Sequence, residues 1–110
     1  MRGTARVAQG DLDAAIADYD KAIALNSTYM RAYNNRGLTK SRKGNLDGAL
    51  ADYNRAIELS PTTAGPYINR GILKKKLGDT KGSSADFSRA VQLNPAMEKF
   101  IKANGYSVTK

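Results

Sequence analysis

The sequence predicts an all-α fold, a solenoid of three helical hairpins with the first one truncated, followed by a C-terminal capping helix. Three observations carry this. Glycines recur 34 residues apart at Gly3, Gly37, Gly71 and Gly105, with a second series at Gly10, Gly44 and Gly78. Aromatic and small residues keep the same step at Tyr19, Tyr53 and Phe87, at Ala22, Ala56 and Ala90, and at Leu25, Leu59 and Leu93. Charged residues keep it too, as Asp18, Asp52 and Asp86 and as Arg2, Arg36 and Arg70. A period of this length marks stacked supersecondary units.

Each period reads as two helices. Residues 30–43 form one amphipathic stretch, and Gly44-Asn45 signals a turn. A second stretch covers 46–59, with Leu46, Leu50, Tyr53 and Ile57 on one face. Ser60-Pro61 ends it, because proline cannot continue a helix and biases the preceding residue away from helical geometry. The next period places helices near 64–77 and 81–93, with breaks at Gly78-Asp79 and Asn94-Pro95. The first period gives a short helix near 2–9, a turn at Gly10-Asp11 and a helix near 12–25, broken at Asn26-Ser27. Residues 96–105 supply the capping helix. The chain is expected to be one domain, 1–110, with repeats at about 1–29, 30–63 and 64–97.

Gly37 and Gly71 fall in mid-helix, where glycine costs about 0.5–1 kcal/mol relative to alanine. A cost that recurs at one phase predicts close approach of a neighbouring helix. Asn45-Leu46-Asp47 and Asp11-Leu12-Asp13 read as helix starts, where side-chain oxygens cap free amides.

The composition narrows function. The 110 residues contain no Cys and no His, so there is no thiolate nucleophile, no imidazole base and no Cys or His metal site. No acid–base pair or phosphate loop stands out, and neither an enzyme activity nor a cofactor is expected. Eighteen basic residues against 10 acidic ones leave a net charge of +8, a field that attracts anionic partners. No apolar run is long enough to span a membrane. The N-terminus lacks the apolar run of a secretory signal, which favours a cytoplasmic setting.

These residues resemble the tetratricopeptide repeat family. Tyr33, Gly37, Ala49, Tyr53, Ala56 and Pro61 match its pattern in one period, and Tyr67, Gly71, Phe87, Ala90 and Pro95 in the next, with Ser83 in place of Ala. The first period keeps Gly3, Ala15, Tyr19 and Ala22. The frames Tyr33-Asn34-Asn35-Arg36-Gly37 and Tyr67-Ile68-Asn69-Arg70-Gly71 resemble the bacterial type of repeat. The resemblance implies a right-handed stack and a protein-binding scaffold with a concave groove lined by the first helices. Arg2, Arg36 and Arg70 depart from it, standing at a large-apolar phase. Arg6, Lys40 and Lys74 depart likewise, at the phase of a Tyr.

By that resemblance Asn35 and Asn69 would hold a ligand's backbone, since an amide offers two donors and an acceptor. The reading beside it is a solvated polar face. Helical spacing extends the groove through Asn34, Leu38, Ser41 and Arg42, and through Ile68, Ile72, Lys75 and Lys76, with Lys99, Lys102 and Tyr106 at the last helix. The expected occupant is a peptide or protein segment of acidic character. Some relatives clamp a C-terminal carboxylate. Here Asn69 and Lys99 match that clamp, whereas Asn34, Leu38 and Ala103 do not, so chaperone-tail binding is not implied.

The pairs Arg2/Asp18, Arg36/Asp52 and Arg70/Asp86 read as structural ion pairs, or as a ladder of Arg side chains held by Asp and facing a ligand. The runs 40–43 and 74–76 read as solvated cations offsetting helix dipoles, or as one basic edge. Two alternatives therefore stand beside the scaffold: a basic-edge binder of nucleic acid or an anionic surface, and a self-assembling module joined through its incomplete terminal repeats.

Overall fold

The computed structural model describes residues 4–106, with side chains from Gly10 onward. Among the described residues there are six helices and no strand. The chain divides into two compact units, Met1–Leu59 and Ser60–Lys110, parted at the Ser60-Pro61 break.

The first unit holds α1 (Thr4–Leu25), α2 (Met30–Arg42) and α3 (Leu46–Leu59). α2 packs against both α1 and α3. The hairpin α2–α3 turns at Gly44, whose φ of 92° lies in the left-handed region. Gly44 N donates to Ser41 O and Asn45 N donates to Lys40 O at 2.9 Å, which satisfies carbonyls left open by the end of α2. Asn45 then starts α3, its Oδ1 accepting from Gly48 N at 3.0 Å.

The second unit repeats this with α4 (Ala64–Lys76) and α5 (Thr80–Leu93), then adds α6 (Met97–Ala103) against α5. Gly78 turns at a φ of 91°, and Asp79 N donates to Lys74 O at 2.8 Å. The Asp79 side chain caps α5 through Gly82 N.

The mid-helix glycines sit where helices touch. A Cβ on Gly37 would stand 2.8 Å from Tyr53 Cε1 and 3.1 Å from Ala49 O. On Gly71 it would stand 2.9 Å from Phe87 Cε1. These contacts build the cores. Ala49, Tyr53 and Ala56 are buried in one unit, and Phe87, Ala90 and Ile101 in the other.

Two expectations are corrected. The turn at Gly10-Asp11 does not form: α1 is one helix through this point, and Asp11-Leu12-Asp13 lies inside it rather than starting a helix. A hairpin is favoured where two apolar faces bury each other. A stub of about eight residues has little face to offer, and extending a helix adds a backbone hydrogen bond per residue. The second correction concerns Gly105. It shares the phase of Gly37 yet is not helical. With a φ of 83° it ends α6, Tyr106 N donating to Ile101 O. The expected helix through 105 therefore closes at Ala103.

Candidate functional site

Each unit carries the same electrostatic centre within its hairpin, between α2 and α3 in one and between α4 and α5 in the other. Asp52 on α3 is buried, and Arg36 on α2 grips it at two points, Nε to Oδ2 at 2.9 Å and Nη2 to Oδ1 at 2.8 Å. Lys40, one turn further along α2, reaches Asp52 Oδ2 at 3.3 Å. In the second unit Arg70 grips buried Asp86 at 2.8 and 2.7 Å, and Lys74 follows at 3.4 Å. A carboxylate removed from water needs such partners. The carboxylates raise the pKa of Arg36 and Arg70, chiefly through these hydrogen bonds. The family's apolar and Tyr phases are thus replaced by two cations that share one acid.

Arg36 makes a third contact that sequence reasoning missed, Nη1 to Asp20 Oδ1 on α1 at 2.8 Å. Asp18, expected to pair with Arg2, is exposed, and Arg2 lies outside the described residues. Asp20 recurs at no other period, so no periodic signal marked it.

A second repeated feature was also missed. Tyr33 is flanked by Arg36 and Arg55, 5.5 and 5.9 Å from its ring centroid. Tyr67 is flanked by Arg70 and Arg89 at 5.8 and 6.0 Å. Their hydroxyls donate to carbonyls in the preceding loops, Tyr33 to Ser27 O and Tyr67 to Pro61 O. Arg55 and Arg89 are 34 residues apart, so the period itself held the signal.

The expected ligand positions fall into two groups. Leu38, Arg42, Lys76, Lys99 and Lys102 are exposed, and Asn34, Asn35, Asn69 and Ile72 are half-buried. Ile68, only 6% exposed, is core and offers a ligand little surface. Lys102 is tied to Glu98 at 3.2 Å. The Tyr106 ring packs tilted against Phe87, 37° between planes and 5.0 Å between centroids, and Lys75 lies 6.0 Å above the Tyr106 ring.

The basic runs are divided by the fold. Lys40 and Lys74 turn onto the buried aspartates, and Lys43 pairs with Asp13 on α1. Arg42, Lys75 and Lys76 stay exposed. Among the described residues no three acidic side chains gather as a metal site would require, and no helix is long and apolar enough to cross a membrane.

The fold and its repeated centres define a helical-hairpin repeat protein whose charged pairs hold the hairpins closed. The chain belongs to the tetratricopeptide repeat family: residues 3–44 and 42–78 match the TPR repeat, and residues 64–97 match the tetratricopeptide repeat. Among curated proteins none matches the sequence. Solved structures do. The crystal structure of MamA is 28% identical with a TM-score of 0.74, over 81% of this chain and 52% of MamA. Another MamA structure is 25% identical with a TM-score of 0.70, over 90% and 52%. The chain thus spans about half the length of these MamA chains. The first TPR of Spaghetti (RPAP3), bound to the HSP90 peptide SRMEEVD, has a TM-score of 0.75 at 24% identity, over 87% of this chain and 82% of its own. At that identity the likeness shows the fold.

Proposed function

We propose that this chain is a non-catalytic interaction module in which each unit holds a protein or peptide segment of acidic character on the first helix of its hairpin, α2 in one unit and α4 in the other. The repeated face supports this reading. Asn35 and Asn69 are half-buried amides placed one residue before the arginines that anchor their helices. A rigid amide grips a peptide bond without reading its side chain. Beside them Leu38 and Ile72 offer apolar contact, and exposed Arg42 and Lys76 supply positive charge at the helix ends. The Tyr-x-Asn-Arg-Gly frame is read as the bacterial form of the repeat. The RPAP3 neighbour, seen with a bound peptide rich in Glu and Asp, supports the same use of the fold.

The single observation carrying the proposal is the division of labour among cations. Arg36, Lys40, Arg70 and Lys74 are spent on Asp52 and Asp86, while Arg42 and Lys76 remain exposed at the ends of the helices that carry the amides. Selection from a randomised peptide library with the 110-residue chain tests it. Enrichment of sequences rich in Asp and Glu is expected. Selected binding should weaken for Arg42→Glu with Lys76→Glu. Enrichment without acidic bias, or indifference to the double reversal, overturns the acidic preference.

A further inference from the structure

One stripe of α2 faces solvent from end to end. Arg31, Asn35, Leu38 and Arg42 follow one another at steps of 4, 3 and 4, which sets them on one side of the helix. Arg31, Leu38 and Arg42 are exposed and Asn35 is half-buried, whereas Ala32, Gly37 and Thr39 on the other side are buried. Asp52 draws Arg36 and Lys40 to that other side. Among the described residues neither Arg31 nor Arg42 has an ion-pair partner. Arg42 lies in the last turn, where a cation suits the helix dipole. Arg31 lies in the first turn, where the dipole opposes a cation and no acid offsets it. Helix stability thus accounts for Arg42 and leaves Arg31 without a structural role. The second unit supplies a contrast. There the same stripe reads Gly65, Asn69, Ile72 and Lys76, with glycine at the first place.

We propose that the α2 stripe takes an extended segment carrying two carboxylates four residues apart with an apolar residue midway, and that Arg31 sets this requirement. The proposal rests on the peptide-binding reading above and adds the pattern that the first unit selects. Along the helix axis Leu38 and Arg42 are about 6 Å apart, and Arg31 and Arg42 about 16 Å. In an extended chain alternate residues share a face, about 6.6 Å apart, so acids four residues apart span about 13 Å. One acid therefore meets Arg42 while the midway residue lies on Leu38. The other acid falls short of Arg31 by a distance that the arginine side chains cover. Asn35, between Leu38 and Arg31, faces the backbone of the segment. The α4 stripe, with Lys76 beyond Ile72 and glycine opposite, reads a single acid.

The test titrates three blocked peptides into the ¹⁵N-labelled 110-residue chain. They carry Glu-Ser-Leu-Ser-Glu, Glu-Ser-Leu-Ser-Gln and Gln-Ser-Leu-Ser-Glu. The two-acid peptide is expected to shift the Asn35 side-chain amide and to bind more tightly than either single-acid one. Arg31→Gln, an exposed change, is expected to weaken the two-acid peptide and one single-acid peptide about fivefold, the worth of one exposed ion pair. The other single-acid peptide is unaffected by Arg31→Gln and loses affinity with Arg42→Gln instead. An Arg31→Gln chain that binds all three peptides as the parent does, or weakens both single-acid peptides alike, overturns the two-acid pattern. Shifts at Asn35 in that case leave the acidic-peptide reading standing. No shift on α2 with any peptide overturns both. A single-stranded oligonucleotide that shifts the same amides and displaces the two-acid peptide overturns the pattern as well, since phosphate charge alone would then suffice.

Discussion

Arg36 and Asp52 meet in a two-point contact across one helical hairpin, at 2.9 and 2.8 Å, and Arg70 and Asp86 repeat it 34 residues later at 2.8 and 2.7 Å. The Asp52 side chain is 6% exposed and that of Arg36 18%. Removing the acid alone strands a half-buried guanidinium. Asp52→Asn is expected to lower stability by about 2–3 kcal/mol in urea titrations. Asp20→Asn, at a 55% exposed carboxylate, should change it by less than about 0.5 kcal/mol. Arg36→Leu combined with Asp52→Leu should recover much of the loss, because an apolar pair of similar volume needs no compensation.

Glycine to alanine should act with opposite signs at two helical positions. At Gly37 a methyl meets the Tyr53 ring and the Ala49 carbonyl. The resulting strain outweighs the gain in helix propensity, and Gly37→Ala is expected to destabilise by about 1–3 kcal/mol. At Gly10, inside α1 with nothing within 4 Å, Gly10→Ala should stabilise by about 0.5–1 kcal/mol. Thermal melts of the two variants check the pair. A destabilising Gly10→Ala would show that a turn forms there after all.

Burial, and then the neighbouring Asp52 charge, push the Tyr53 phenol up to about 12. The folded chain holds this proton more tightly than the unfolded chain, where the pKa is about 10. The stabilising contribution is therefore complete below pH about 10 and is lost as the pH climbs towards about 12. Tyr53→Phe, the residue found naturally at this phase in Phe87, removes that dependence. Between pH 9 and 12 the parent chain should lose about 1–2 kcal/mol more than the variant. Parallel curves would show that the phenol is not so enclosed.

Asp79 and Asp11 follow Gly78 and Gly10 in the same sequence pattern but hold different places. Asp79 caps α5 through Gly82 N at 2.8 Å, whereas Asp11 is an exposed residue within α1. Asp79→Ala is expected to cost about 1 kcal/mol. Asp11→Ala should be neutral or slightly stabilising, since alanine is the better helix former.

Much of this fold was legible because one constraint recurs. Gly37 and Gly71 announced close helix contacts through a repeated cost, and the rings of Tyr53 and Phe87 lie against them. Arg36 and Asp52 announced a pair by sharing a step. Features that break the period were illegible. Gly10 looks like Gly44 in sequence, but a turn depends on what the preceding segment can bury. Gly105 looks like Gly37, yet the end of α6 gives it the role of Gly78. At the candidate site, spacing placed Arg42 on the first helices beside the Asn35 and Asn69 that the family resemblance supplied. It also placed Ile68 there, because the period does not tell a groove position from a core one. Lys40 and Lys74 read as solvated cations because their acceptors lie on another helix.

The central claim is that each unit holds a peptide on the first helix of its hairpin, α2 through Asn35 and α4 through Asn69. Calorimetric titration of a library-selected peptide into the chain and into the Asn35→Ala, Asn69→Ala double variant tests it most directly. An affinity loss of about tenfold or more is the predicted result, since each amide–backbone grip is worth about 1 kcal/mol. Equal affinity for the two proteins would contradict the account and place the ligand elsewhere on the chain.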